Sequence, residues 1–401
     1  MNHAERFVQL DEWLTHHQAV WRARPFILRQ LPWERQWPEL AAALRSRTLQ
    51  QAEADHGSPH RLKLPAPFAE LSAASRKLAD LPDWSRDPVA VPDGLSTHVP
   101  GRKWEQICRF ADIADSRFRA PARSWVDWCA GKGHLGRLLS WRSGAPVLCL
   151  ERNEQLNRDG MVLSAQWRVD AEHVDADVLA RPTWDRLCSE HSVVALHACG
   201  DLHTTLLVRG VAAGSSQLAV SPCCYNRIAA LQYRPLSDAA RASSLSLSRE
   251  DLGLPLQQTV TAGRRVRQLR DRSMAWRLAF DHWQREARGI DEYLPTPSRP
   301  ESALSFGMPG FCRDLAAHHG LALPEPDNWA ELEACGWRRL AETRNLELVQ
   351  ALFRRPLEIW LMLDRALFLE EQGYRVELGQ FCPDALTPRN LLLLAEHVPN
   401  S

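Results

Sequence analysis

The sequence predicts an α/β fold, and three observations carry that expectation. Between about residue 104 and 225, short apolar runs alternate with stretches of helical periodicity. The runs are Trp125–Trp128, Val147–Leu150, Val193–Leu196 and Leu218–Val220, and such alternation is what βαβ units around a parallel sheet produce. The first run leads into a glycine-rich turn, Cys129-Ala-Gly131-Lys132-Gly133-His-Leu-Gly136, and then into a helical pattern. The flanks read as helix.

Taken in chain order, residues 1–100 are expected as a helical N-terminal region. Phe7, Leu10, Trp13 and Leu14 recur at helical spacing, as do Trp37, Leu40 and Leu44. A Pro-bearing stretch from Leu81 to Gly101 suits a domain edge. Residues 101–226 form the expected sheet core, and 227–369 an Arg- and Trp-rich helical insertion. Residues 370–401 hold two runs, Tyr374–Leu378 and Asn390–Leu394, expected as strands that complete the sheet.

Composition narrows the class. The 401 residues carry 49 basic and 49 acidic side chains, 45% hydrophobic residues and 24% charged ones, the profile of an ordinary globular chain. Disorder, collagen-like repeats and a highly charged nucleic-acid tail are excluded. No uncharged apolar stretch reaches about 18 residues, which excludes a membrane-spanning helix. The ten cysteines follow no paired framework, and the first residues lack a signal-peptide pattern. A reducing cytoplasm is the expected setting. Only four basic residues are lysine: Lys63, Lys77, Lys103 and Lys132.

The glycine loop carries the chemistry. Glycines let backbone approach a ligand closely, and the following helix start offers free N–H groups. Glu151 ends the second run, where a carboxylate can accept both hydroxyls of an adenosine ribose. As bare text Gly131-x-Gly133-x-x-Gly136 is also a dinucleotide fingerprint, so a nicotinamide enzyme must be weighed. Asp127, inside the first strand, would oppose a pyrophosphate but suits a cationic sulfonium ligand. Asp177 lies where a third strand would end, within reach of an adenine amino group.

With those residues in view, three blocks resemble one family: Asp127-Trp-Cys-Ala-Gly-Lys-Gly-His-Leu135, Leu196-His-Ala-Cys-Gly-Asp-Leu202 and Ser221-Pro-Cys-Cys-Tyr-Asn226. They resemble a subgroup of the Rossmann-like S-adenosylmethionine-dependent methyltransferases. That subgroup includes proteins once named for an rRNA adenine dimethylase domain and is related to tRNA acceptor-stem 2′-O-methyltransferases. Gly101–Ile107, with Lys103, resembles the subgroup's upstream Lys segment, and Thr387–Leu393 its closing strand. The resemblance covers under half of the chain. It implies a Rossmann-like methyltransferase sheet and S-adenosylmethionine as cofactor. Cys129 departs from the pattern, standing where most methyltransferases have the first loop glycine.

Ligands in open α/β sheets bind beyond the carboxyl ends of the strands. Cys129, Cys199, Cys223 and Cys224 fall at such ends, with His197, Asp201, Tyr225 and Asn226. Three readings follow. In the first, His197, Asp201, Tyr225 or Asn226 positions a methyl acceptor and proximity supplies most of the catalysis. In the second, a cysteine adds to a pyrimidine, as in RNA cytosine-C5 enzymes, although the surrounding motifs differ. The third, a thiolate metal site, is disfavoured because the cysteines lie on separate loops without paired spacing, and no metal ligand is assigned. The bland alternative is small residues packed beneath the cofactor. Ser221–Asn226 also resembles the Asn/Ser-Pro-Pro-Tyr motif of adenine-N6 enzymes, but that motif follows a fourth strand and this one a fifth.

The expected cofactor set is Lys103, Asp127, Cys129, Gly131, Lys132, Gly133, Glu151, Asp177 and His197. Lysine presents a compact charge that arginine cannot replace at a tight site, hence the inclusion of Lys103 and Lys132. Residues 261–290 hold eight arginines against three acids, interleaved with Trp276 and Trp283. This stretch reads either as a phosphate-binding face with stacking aromatics or as a solvated helix paired with its own acids. The function expected is S-adenosylmethionine-dependent methyl transfer, with RNA (tRNA or rRNA) as acceptor. The alternatives are a non-catalytic cofactor-binding RNA-binding protein and an NAD(P)-dependent oxidoreductase.

Overall fold

The computed structural model describes residues 2–257 and 263–398. Its seven strands are β1 (Ser124–Trp128), β2 (Val147–Glu151), β3 (Ala171–Asp175), β4 (His191–Ala198), β5 (Gln217–Pro222), β6 (Tyr374–Gln380) and β7 (Leu391–His397). They form one sheet in the order β3-β2-β1-β4-β5-β7-β6. β1 to β5 run parallel, and β7 is antiparallel to both β5 and β6. The fold is therefore α/β with a Rossmann-like sheet.

The central strands are apolar on both faces because helices cover both. Val126, Val193, Val194, Ala195, Leu218 and Ala219 are fully buried. β3 is different. It is an edge strand, Ala171-Glu-His-Val-Asp175, partly exposed throughout, and so shows no apolar run. It ends two residues before Asp177. The chain steps outward from β1 through β2 to β3 and then returns to β4 on β1's other side. The switch point, where ligands of open α/β sheets bind, thus lies between β1 and β4. Ser221–Asn226 does follow the fifth strand.

The residues divide into two compact units. One comprises 1–15, 78–260 and 355–401 and contains the whole sheet; the other comprises 16–77 and 261–354. The expected insertion 227–369 is thus shared between them. In the sheet unit, the helix Arg354–Glu371 is buried along nearly its whole length, with Leu357, Ile359, Trp360, Met362 and Leu363 fully covered. In the second unit, the helices Arg264–Arg288 and Trp329–Ala351 cross tightly at Gly336, where a Cβ would fall 2.3 Å from the Ala275 carbonyl oxygen.

Trp276 and Trp283 are buried in the core of this second unit with Phe280, Phe311 and Leu315. Their indoles donate to Glu333 and to the Pro324 carbonyl. They are core anchors, so the reading in which they stack on bases does not hold for these two residues. Their spacing at helical intervals served packing.

The link from β6 to β7 is held by Asn390, which is fully buried. Its amide donates to the Cys382 carbonyl at 2.7 Å and to Asp384 at 2.8 Å, and its oxygen accepts from Arg355 at 2.7 Å. Replacing it by leucine strands a buried carbonyl and a guanidinium together. Asn390→Leu should lose about 1–3 kcal/mol of stability, read as a lowered urea midpoint. An unchanged midpoint would show that the link is held by something else.

Candidate cofactor and acceptor site

The loop after β1 owes its shape to three left-handed residues: Cys129 (φ 61°), Gly131 (φ 59°) and Gly133 (φ 65°). Glycine takes this conformation freely, whereas at Cys129 it strains the backbone by about 1–2 kcal/mol. The structure thus supplies the reason a glycine would suit position 129. A Cβ on Gly131 would meet nothing within 4 Å, so the backbone there is open to a ligand.

Two carboxylates grip this loop. Asp127 is 3% exposed and accepts the Gly136 N–H at 2.8 Å. Glu151 accepts the Gly131 N–H at 3.1 Å through one oxygen and the Asn153 N–H at 2.9 Å through the other. A carboxylate offers roughly four lone pairs, so Glu151 keeps acceptor capacity for hydroxyl groups. Asp177 is exposed beyond β3, with one oxygen accepting the Leu179 N–H at 2.9 Å.

Electrostatics distinguish the two lysines. Lys132 forms an ion pair with Asp159 at 2.8 Å, tying the loop to the helix Glu154–Gln166. Its role is to anchor the loop. Lys103 is exposed on the first turn of the helix Gly101–Arg117. Burial sets the shifts of Asp127, His134 and His197, and the Lys103 charge is near enough to each to act as a lesser lowering influence. Sequence reasoning passed over His134 and Arg137. Both are buried beneath the loop, with Arg137 donating to the Lys132 carbonyl and to His134 Nδ1.

His197 sits at a bulge in β4 with a left-handed backbone (φ 64°). Its Nε2 lies 2.7 Å from Gln106 Oε1, while the Gln106 amide donates to the Leu386 carbonyl. That assigns the ring proton to Nε2 and leaves Nδ1 as an acceptor. Burial, with Lys103 and Arg389 nearby, pushes its pKa down to about 4, so the imidazole is neutral.

The remaining candidates separate. Tyr225 is buried, its hydroxyl 3.4 Å from Glu358 and its ring beside His203 and Arg365. It faces the core, not an acceptor. Asp201 accepts the Ala229 N–H at 2.7 Å and lines a cavity of about 420 Å³ with Trp184, Thr205, Arg209 and Ile228. Asn226 is half-buried and its side chain has no hydrogen-bond partner among the described residues. Cys199 and Cys223 lie with their sulfurs 2.9 Å apart, and Cys224 beside them. Hydrogen bonds from its two neighbours pull the Cys199 thiol down to about 6, whereas burial holds Cys129 at about 12. Cys129 is therefore a protonated thiol, not a nucleophile.

Residues 102–231 match a family model described as a methyltransferase domain. Among curated proteins, the chain is similar to the glutathione S-transferase C-terminal domain-containing protein of Xenopus laevis, at 26% identity over 151 residues. The Mus musculus protein of that name is 27% identical over 150 residues. The matches cover 36% of this chain in each case, and 24% and 23% of those proteins, about a quarter of their length. Among solved structures, it is similar to the plantazolicin methyltransferase BpumL in complex with SAH, at 8% identity and a TM-score of 0.30, over 87% of this chain and 98% of that one.

Burial raises the Asp127 pKa to about 6, partly offset by the Gly136 N–H and by Arg137 and Lys103. A carboxyl whose folded pKa exceeds its unfolded value favours the fold when protonated. The penalty grows as pH rises through the folded pKa. Asp127→Asn should therefore stabilise the ligand-free protein by about 3 kcal/mol at pH 7.5 and by roughly half that at pH 5. Denaturant midpoints at the two pH values would test this. Equal or lower stability of the variant at both would refute the cost assigned to Asp127.

Proposed function

We propose that this protein transfers a methyl group from S-adenosylmethionine to RNA. The observation that carries the reading is the open-backed loop at Gly131, flanked by the buried Asp127 and the half-buried Glu151, at the β1/β4 switch point. These residues fit the cofactor. A buried carboxylate held near pH 6 by desolvation gains from a cationic neighbour, and Glu151 has acceptor sites left for ribose hydroxyls. Bound S-adenosylmethionine supplies a sulfonium-activated methyl group.

The chain's own residues bind and orient. Gly131 keeps a side chain out of the ligand's way, Gly133 lets the loop pack closely on His173 and Cys149, and Asp177 has an exposed oxygen for an amino group. Lys103 has no ion-pair partner among the described residues and can meet a carboxylate or a phosphate. His197, neutral and fixed in tautomer, offers Nδ1 to an acceptor hydroxyl or amine. With a pKa of about 4 it orients rather than abstracts a proton.

RNA as the acceptor is supported by the start of the helix Arg264–Arg288. Arg264, Arg265, Arg267, Arg270 and Arg272 are all exposed there. Arginines at a helix N-terminus oppose the helix dipole, an arrangement that an anionic partner relieves. Farther along, the arginines are structural: Arg277 donates to Thr296 and Pro297, and Arg285 is buried with Asp281 and Asp291. The basic stretch thus combines both readings, an exposed cationic end in which Arg270 lies 3.7 Å from Asp271, and a more fully paired remainder.

Calorimetry should show S-adenosylhomocysteine binding and no NAD binding, with Glu151→Ala weakening the former at least about tenfold. Binding of NAD alone, or of neither, would overturn the cofactor reading. Labelled methyl transfer to total RNA and to protein from a deletion strain then decides the acceptor. Reversing Arg264, Arg267 and Arg270 to glutamate should weaken RNA binding and flatten its salt dependence by roughly two to three charges. Methyl label in protein alone, or a salt slope untouched by the reversals, would remove RNA as the acceptor.

A further inference from the structure

The edge of β4 and β5 carries a second piece of chemistry. The sulfurs of Cys199, Cys223 and Cys224 all lie within 4.8 Å of one another. Their convergence is built by the backbone. β4 and β5 are neighbours, so the residues that follow them meet, although 24 positions separate Cys199 from Cys223. Two special backbone positions bracket Cys199: the left-handed His197 at the bulge, and Gly200 at φ 51°. A Cβ on Gly200 would fall 1.8 Å from the Arg227 carbonyl oxygen, so the turn after Cys199 is pressed onto the turn after Cys224. Strain of this kind persists where surrounding structure holds it in place, and it clusters at functional sites.

We propose that Cys199, Cys223 and Cys224 bind one zinc ion. Three soft sulfur donors on two loops are what zinc selects over hard cations. Tetrahedral zinc at about 2.3 Å from each sulfur requires sulfurs about 3.8 Å apart. The three sulfurs all lie within 4.8 Å of one another, and the Cys199–Cys223 pair at 2.9 Å has to open by about 0.9 Å to reach that spacing. Zinc binding displaces the thiol protons, and the divalent cation offsets the repulsion among the three thiolates so formed in a half-buried place. Zinc with three thiolates carries one net negative charge, which Arg227, close enough to bias Cys199, complements. Three protein ligands leave a fourth position for water or an acceptor atom, the arrangement of reactive rather than purely structural zinc. The ion would clamp together the loops that carry His197, Asp201 and Asn226.

The test uses the full-length chain under reducing conditions. Metal analysis of the purified protein should find one zinc per chain. The chelator-stripped protein titrated with Co²⁺ should develop a near-ultraviolet thiolate-to-metal band that saturates at one equivalent. Cys199→Ser and Cys223→Ser should each weaken cobalt binding at least about a hundredfold, whereas Cys188→Ser and Cys335→Ser should leave it intact. The wild-type titration stands even where a variant fails to fold. Three results would overturn the site: no zinc and no band in the reduced wild type, a band that survives Cys199→Ser, or a Cys199–Cys223 disulfide whose reduction restores no metal uptake. S-adenosylhomocysteine binding, measured on the same samples, separates this site from the methyl-transfer reading. Metal uptake without cofactor binding would leave the zinc site standing alone.

Discussion

The carboxylate of Asp127 accepting the Gly136 N–H is the contact around which the sheet's ligand edge is arranged. It closes the turn by joining the end of β1 to the first turn of the following helix. Closing it demands glycine at 136, since a Cβ there would lie 2.9 Å from both Asp127 Cβ and Val147 Cγ2. The chain can return on itself over so few residues only because Cys129, Gly131 and Gly133 are left-handed. A second layer then fixes the loop from above. Gly160, whose Cβ would meet His173 and the Lys132 carbonyl, lets the next helix press down, and Lys132 pairs with Asp159 across that contact. The loop is therefore preformed. Its price is a buried charge, and the benefit is a carboxylate already desolvated where a cation would bind.

The neighbouring edge is supported from below. Arg365, buried on the helix Arg354–Glu371, donates to His203 at 2.8 Å and to Tyr233 at 3.0 Å. Asp364 accepts from the backbone of Leu236 and Ser237 and from the Ser237 hydroxyl. His203 lies in the helix that follows β4, and Tyr233 and Ser237 in the chain that follows β5. The network thus holds the two segments on either side of the cysteine cluster against one helix. A buried hydrogen-bond network of this kind rigidifies what it joins. It also explains why Tyr225 is buried, its ring completing the packing around Arg365.

Much of this was legible in the sequence where the relevant partner was close in the chain. The loop, its glycines, Asp127 and Glu151 could be read because strand, turn and helix follow one another within about 30 residues. The four central runs were visible because burial on both faces makes strands uniformly apolar. β3, at the sheet edge, was visible only through the position of Asp177. What escaped depended on distant partners. Lys132 looks like a ligand-reaching cation until Asp159, 27 positions on, is seen to hold it. Tyr225 looks like an active-site group until Glu358, 133 positions on, meets its hydroxyl. The cysteines lacked paired spacing because strand order, not sequence distance, brings them together.

The same reasoning separates structural from available charge in a chain whose formal charges cancel. Buried arginines here are framework: Arg137 under the loop, Arg285 between Asp281 and Asp291, Arg365 against His203. Their planar, multidentate guanidinium groups suit that task, and lysine would not replace them. A cation can act on a ligand only where such pairing fails. In the sheet unit one such position is Lys103, compact and without an ion-pair partner among the described residues. In the second unit, exposed guanidinium groups gather in the first turns of the helix Arg264–Arg288, at the positive end of its dipole, with Arg270 lying 3.7 Å from Asp271. Guanidinium groups at the positive end of a helix dipole are disfavoured in isolation and become favourable when an anion arrives. Balanced composition thus coexists with two local surpluses, each placed where the fold leaves it unsatisfied.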